Sequence, residues 1–172
     1  SFLTQKIIEE TVRKNASYHI VSADDFFMRG GKYQYDASKI AEAHEFAKKM
    51  FCNRASKGYS PLIVDNTNLE YWEFFYYMQV AVQYDYHIEM LEPSTPWKFL
   101  VTKLALKNSH SVPMEKIEMM KRKFETGSTV ENILSSLNLT AVREPKMRNF
   151  PPIEAPSSEE QVNGNNNNDV DL

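Results

Sequence analysis

A doubly wound α/β fold is what this sequence predicts, and three observations carry the expectation. Helical and strand patterns alternate in the order helix, strand, helix, strand, helix, strand, helix, which right-handed crossovers build into a parallel sheet. The run Leu62-Ile63-Val64 is continuously apolar rather than alternating, as expected of a strand covered on both faces. The first two strands both finish in carboxylates, Ser22-Ala23-Asp24-Asp25 after one and Asp65-Asn66-Thr67-Asn68 after the other. Ligands of such sheets sit at those strand ends, so the two sequences are expected to line one crevice.

Phe2, Leu3, Ile7, Ile8 and Val12 recur at helical spacing opposite Glu9, Glu10, Arg13 and Lys14, which predicts a helix over most of residues 2–14. Residues 18–22 read as a strand and Arg29-Gly30-Gly31-Lys32 as a loop. From Ala37 to about Lys57 a long helical pattern carries Ile40, Ala43, Ala47, Met50 and Phe51 inward, and Gly58 stops it. After the strand at Leu62–Val64, Thr67 and Glu70 have capping-box spacing, so a helix is expected from about Asn68 to Val82. His87 to Leu91 gives a third strand, and helices follow at Trp97–Lys107, Met114–Phe124 and Val130–Leu137. Beyond Phe150 the chain is rich in Pro, Ser, Glu, Gly and Asn, a composition that cannot bury enough apolar surface to order itself. The expected organisation is one domain over residues 1–150 and a disordered, acidic, Asn-rich tail over 151–172.

The 172 residues are 42% hydrophobic and 25% charged, enough for one sizeable core. A single cysteine, Cys52, cannot form an internal disulfide, which favours an intracellular setting, cytoplasmic or nuclear. No apolar run approaches the roughly 18 residues of a membrane helix, and no secretory leader opens the sequence, so no membrane partner is expected. A net charge of −3 and a pI near 5.8 argue against coating nucleic acid through counterion release. A local basic patch at Lys121-Arg122-Lys123 or at Lys146 and Arg148 is still allowed, although such clusters are commonly solvated surface.

Adjacent side chains at a strand end point in opposite directions, so one of Asp24 and Asp25 can face the crevice while the other caps a turn. Both readings stand: two turn-forming aspartates, or a general base beside a polyphosphate site. Asp65 has the position of a Walker-B carboxylate that holds Mg²⁺. Asn66, Thr67 and Asn68 serve equally well as turn and cap residues. His44 reads either as a buried, hydrogen-bonded helix residue or as a contact to substrate. The aromatics Tyr71, Trp72, Phe74, Phe75, Tyr76 and Tyr77 suit core packing better than base stacking. No zinc or haem spacing occurs in the sequence.

The blocks Ser22-Ala23-Asp24-Asp25-Phe26-Phe27, Gly31 to Asp36, Glu42-Ala43-His44-Glu45, Gly58 to Leu69, Glu92-Pro93 and Trp97-Lys98-Phe99 together resemble the P-loop kinase domain of the Nedd-four-binding protein two family. The resemblance runs from residue 1 to about residue 150. It implies a P-loop NTPase, kinase-like, three-layer parallel sheet, and an activity similar to that of bacteriophage-type 5′-hydroxyl polynucleotide kinases. In the family a GxxxxGK[ST] loop stands directly before the first helix, and Ser1-Phe2-Leu3 coincides with its end. The resemblance therefore implies that Ser1 is the Walker A hydroxyl, a nucleotide and Mg²⁺ ligand, and that this sequence begins after its first strand and phosphate loop. Without the loop's N–H groups and lysine, the β- and γ-phosphates of ATP lose their cradle, so weak ATP binding is expected.

The same resemblance implies catalytic roles for Asp24, accepting the proton of the attacking 5′-hydroxyl, and for Asp65 near the metal. It places Asp25, Arg29, Asn66 and Asn68 on the substrate side. The segment from Lys103 to Ser111 would be a lid over the phosphates, with Lys107 at the nucleotide where relatives have arginine; lysine brings charge without the bidentate fork. Phe46-Ala47-Lys48-Lys49-Met50 replaces a family Trp-Asn-Gln-Asn-Arg, removing an arginine and an asparagine. The expected function is ATP- and Mg²⁺-dependent phosphoryl transfer to 5′ ends of DNA or RNA. The alternatives are a degenerate kinase fold that binds a ubiquitin-ligase partner, and a small-molecule kinase.

Overall fold

A computed structural model describes residues 4–7, 9, 18–108 and 111–142. The elements are β1 (His19–Val21), a 3-10 turn (Ala23–Phe27), β2 (Met28–Arg29), β3 (Lys32–Tyr33), a 3-10 turn (Ala37–Lys39), α1 (Ile40–Ser56), β4 (Leu62–Val64), a 3-10 turn (Tyr71–Phe74), α2 (Phe75–Gln83), α3 (Val101–Lys107), α4 (Met114–Lys123) and α5 (Val130–Ser136). Residues 4–7 and 9 are helical, inside the span expected for the first helix. Ser1, Lys146, Arg148 and the expected tail at 151–172 lie outside the described residues.

β1 and β4 pair in parallel, with His19 opposite Leu62, Ile20 opposite Ile63 and Val21 opposite Val64. The ladder is extended by hydrogen bonds from His19 N–H to the Pro61 carbonyl at 3.0 Å and from Asp65 N–H to the Val21 carbonyl at 2.9 Å. α1 is the crossover between the two strands, and it packs on β1, on β4, on α2 and on the 23–27 turn. Its buried residues Ala43, Ala47, Phe51 and Ala55 recur every four positions, so they form a single stripe. Three alanines let the helix approach the strands closely, and Phe51 fills the remaining depth. Burying a phenylalanine side chain contributes about 1.5–3 kcal/mol. The stripe meets Val21, Tyr77, Val80, Ala81 and Tyr86 in one cluster, where Phe51 and Tyr77 pack edge to face at 5.2 Å. A second cluster joins Met78 of α2 to Ile133 and Leu134 of α5.

Four local expectations are corrected. Ile40 is 44% exposed: it lies in phase with the stripe, three residues before Ala43, but at the first position of α1, where the helix end is uncovered. His44 is exposed on α1 rather than buried. The helix expected from Asn68 begins instead at Tyr71: Asn68 has φ +39°, which breaks helical continuity, and Glu70 with Glu73 supplies the capping box in place of Thr67. Residues 87–91 form no strand among the described residues. Ile88 and Met90 are half-buried while His87, Glu89 and Leu91 are exposed, so the alternation is real, but it records one covered face and not a hydrogen-bonded neighbour. The aromatic helix packs as expected, with Tyr77 buried, while Trp72 stays 61% exposed. Among the described residues no helix is long and apolar enough to cross a membrane.

Candidate functional site: two acidic strand ends

Immediately after β1, the Ser22 hydroxyl accepts a hydrogen bond from Asp24 N–H at 3.2 Å and the Ser22 carbonyl accepts one from Asp25 N–H at 3.3 Å. Serine caps the short turn because its oxygen replaces a missing helical acceptor. The turn swings the two aspartates apart. Asp24 leans toward the β2–β3 hairpin, where its Oδ1 accepts a hydrogen bond from the Tyr33 hydroxyl at 3.0 Å. Burial, the bond to Asp24 and the charge of Asp24 together push the Tyr33 phenol up to about 12, so it stays a donor at neutral pH.

Asp25 is exposed on the same turn. Its pKa is raised chiefly by desolvation, with the nearby Asp24 and Asp65 carboxylates adding to the rise and Arg54 opposing it. Arg54 comes from the last turn of α1, and its guanidinium donates to the Ile20 carbonyl of β1. Asp65 is half-buried at the end of β4. The charges of Asp24, Asp65 and Arg54 thus all act on Asp25 beside the two strand ends.

Asn66 ties the two ends together. Its Oδ1 accepts from Ala23 N–H at 2.9 Å, and its Nδ2 donates to the Tyr77 hydroxyl at 3.4 Å. This amide, placed on the substrate side by sequence, has a protein partner at each end. Beyond β4 a cleft of about 910 Å³ opens, lined by Asp65, Asn66, Asn68, the 85–93 segment and the 124–128 loop. Glu125 fixes that loop: its carboxylate accepts from Tyr71 N–H at 2.6 Å and its N–H donates to the Leu69 carbonyl at 2.8 Å. Asp24 and Asp25 are not among the lining residues, so they border the cleft's neighbouring strand end and not its wall.

Two residues expected at the site stand apart from it. In the hairpin Arg29 is opposite Lys32, and Met28 opposite Tyr33, so Arg29 leaves the face opposite Tyr33. Its charge acts on Asp36, whose carboxyl is held low first by the Ser38 side chain and backbone. Lys107, at the end of α3, lies over the Trp97 ring at 5.1 Å and does not line the cleft. Residues 109 and 110 of the expected lid, like Ser1, are outside the described residues. Sequence reading missed Tyr33 and Arg54. Arg54 carries the signal of a cation in a helix's last turn, whereas nothing in the sequence fixes Tyr33 beside Asp24.

Among the described residues no group of three or more His, Cys, Asp or Glu side chains is gathered to cage a metal ion. Mg²⁺ bound with a nucleotide keeps several waters and takes one or two carboxylates with phosphate oxygens. The half-buried Asp65, lining the cleft, fits a part in such a shell.

No solved structure matches the chain. The chain is similar to human NEDD4-binding protein 2, with 38% identity over 136 residues, which is 79% of this chain and 8% of that protein. The chain thus spans about 8% of the length of this curated relative. The AAA_33 family model, described as an AAA domain, matches residues 5–126, a span that holds both acidic strand ends, their Asn66 tie and the crossover helix α1. The chain belongs to that family and is a P-loop kinase-like α/β domain.

Proposed function

We propose that this chain belongs to an ATP-dependent phosphotransferase that acts on 5′-hydroxyl ends of DNA or RNA. The observation that carries the reading is the Asp24 carboxylate, held by the Tyr33 hydroxyl at 3.0 Å on an exposed strand end adjoining that of Asp65. Phosphoryl transfer depends on positioning and on a base for the attacking hydroxyl. Asp24 is the base: its carboxylate, held by the Tyr33 hydroxyl, takes the proton of the incoming 5′-hydroxyl. Asp65, at the cleft, is the carboxylate that would hold Mg²⁺, which supplies neutralisation of developing phosphate charge when bound. Asp25 supports both, since it senses Asp24, Asp65 and Arg54 together. Asn66 sets the spacing of the strand ends, and Asn68 lines the cleft with a left-handed backbone. Ser1 keeps the nucleotide-side role the resemblance gives it, whereas Lys107, held over the Trp97 ring, is not assigned to the nucleotide here.

Transfer of labelled γ-phosphate from ATP to a 5′-hydroxyl oligonucleotide, assayed with a GxxxxGK[ST] loop joined ahead of Ser1, tests the reading. Asp24→Asn keeps the size and the Tyr33 contact but removes the basic oxygen, and kcat is expected to fall about 10²–10⁴-fold. Full turnover in that variant would refute the assignment, and faster phosphorylation of free nucleosides than of oligonucleotides would move the substrate class. The name of the human relative records NEDD4 binding; we carry this over as a protein partner, tested by capture of purified NEDD4 on the immobilised chain.

A further inference from the structure

A second cavity, of about 370 Å³, opens between the start of α2 and α5, within the size range of ligand pockets. Its lining combines three aromatic rings with one carboxylate: Tyr71, Trp72 and Phe75 from the 71–75 segment, Glu125 from the 124–128 loop, and Asn132 and Ile133 from α5. Trp72 and Phe75 are three residues apart, and Tyr71 and Phe75 four, so helical geometry puts all three on one side. Trp72 is 61% exposed, more than any other Phe, Tyr or Trp among the described residues, whereas Ile133, at 3%, is the most buried part of the lining. The loop holds Tyr71 at both ends: its backbone N–H donates to the Glu125 carboxylate at 2.6 Å, and its hydroxyl accepts from Ser128 N–H at 2.9 Å. Tyr71, Glu125 and Ser128 also line the larger cleft, so the two cavities share a wall, while Trp72, Phe75, Asn132 and Ile133 line only the smaller one. Among the described residues no cation pairs with Glu125.

We propose that this pocket receives an arginine side chain of a partner protein, with the guanidinium set among the aromatic rings and hydrogen-bonded to Glu125. A wholly apolar occupant would strip water from the Glu125 carboxylate and return no hydrogen bond. A phosphate or a nucleic-acid backbone would meet that carboxylate as a like charge. A cation suits both parts of the lining, because aromatic faces and a carboxylate each attract it. Arginine suits them better than lysine: its flat guanidinium is more weakly hydrated, stacks on rings and matches a carboxylate with paired bonds. Glu125 has room for it, since an ionised carboxylate offers about four lone-pair sites and the Tyr71 N–H takes one. A side chain carried on a protein fits this open surface better than a free small cation, whose few contacts must offset all of its lost freedom. Tryptophan and arginine are also enriched among the residues that dominate protein interfaces. The inference stands apart from the phosphotransferase reading and uses neither Asp24 nor Asp65.

The 172-residue chain has two tryptophans, so its ¹H–¹⁵N spectrum carries two indole signals, Trp72 in the pocket and Trp97 outside it. The probe is the pentapeptide Gly-Gly-Arg-Gly-Gly, titrated beside a twin in which uncharged citrulline replaces arginine. The arginine peptide is expected to move the Trp72 signal and leave Trp97 in place, and the citrulline twin to bind about tenfold more weakly, the effect of one lost charged hydrogen bond. Glu125→Gln, which keeps an acceptor for the Tyr71 N–H, should also weaken the arginine peptide about tenfold. Trp72→Ala touches none of the bonds that hold the loop, and followed at the Asn132 amide it should weaken the peptide about threefold; it keeps the test decisive if Glu125→Gln displaces the Trp97 signal and so disturbs the fold. The proposal is overturned if the arginine peptide leaves Trp72 unmoved, if the citrulline twin binds equally well, or if both variants bind like the parent chain. A larger shift with inorganic phosphate than with the peptide would overturn it as well. Free guanidinium ion binding as tightly as the peptide would make the ligand a small cation and refute the protein partner.

Discussion

His19 lies 9% exposed in β1, its ring stacked on Tyr59 at 4.4 Å and its Nε2 without a hydrogen-bond partner among the described residues. Burial first, and Arg54 second, lowers its pKa from the ordinary 6.5. The unfolded chain therefore binds the proton first. The stabilisation is complete above about pH 6.5 and is lost as pH falls below it through the lowered folded value. His19→Phe keeps the stack and removes the titration, so its melting temperature should change less between about pH 7.5 and pH 5.5 than that of the parent chain, as thermal melts would show. At this same scale the sequence revealed the acids but not their partners. Asp24, Asp25 and Asp65 are legible because strand ends in open sheets carry ligands. The Tyr33 contact crosses a hairpin whose register depends on backbone hydrogen bonds, and Asn66 looks like any turn residue until both ends of its amide are traced to Ala23 and Tyr77.

The β2–β3 hairpin turns through Gly30 and Gly31, with φ of +56° and +74°. Left-handed backbone at both positions is the condition of a tight two-residue turn that matches strand twist. A Cβ at Gly31 would meet nothing within 4 Å, so the cost of Gly31→Ala is conformational strain alone, about 1–2 kcal/mol. The hairpin closes through Gln34 N–H to the Phe27 carbonyl at 2.8 Å. Amide exchange at Gln34 should therefore quicken about tenfold in Gly31→Ala, by local opening rather than global unfolding. Unchanged protection there would show that the turn is not what holds Tyr33. Among the elements, α1 and α4 and both ladder strands were readable because apolar period and length agree. Residues 87–91 have the period without the neighbour, and pairing is a property that no single segment carries.

Over the molecule as a whole, one two-stranded ladder carries both acidic ends. The bonds at Pro61 and Asp65 turn the odd-numbered peptide groups of β4 toward β1. Those of Leu62 and Val64 face the other edge, without a backbone partner among the described residues, where the 910 Å³ cleft begins. Hydrogen exchange should consequently split within three successive residues: Ile63 slow, Leu62 and Val64 fast. Equal protection of all three would mean that β4 is paired on both sides. The Asn66 tie has a longer reach. Ala23 hangs from Asn66, Asn66 from the Tyr77 phenol, and Tyr77 rests edge-on against Phe51 in the deepest cluster. That carboxamide moors the acidic corner to the oily interior in addition to the ladder, so repacking chosen only for thermal robustness around Phe51 would slacken the mooring and drift the aspartates off their mark.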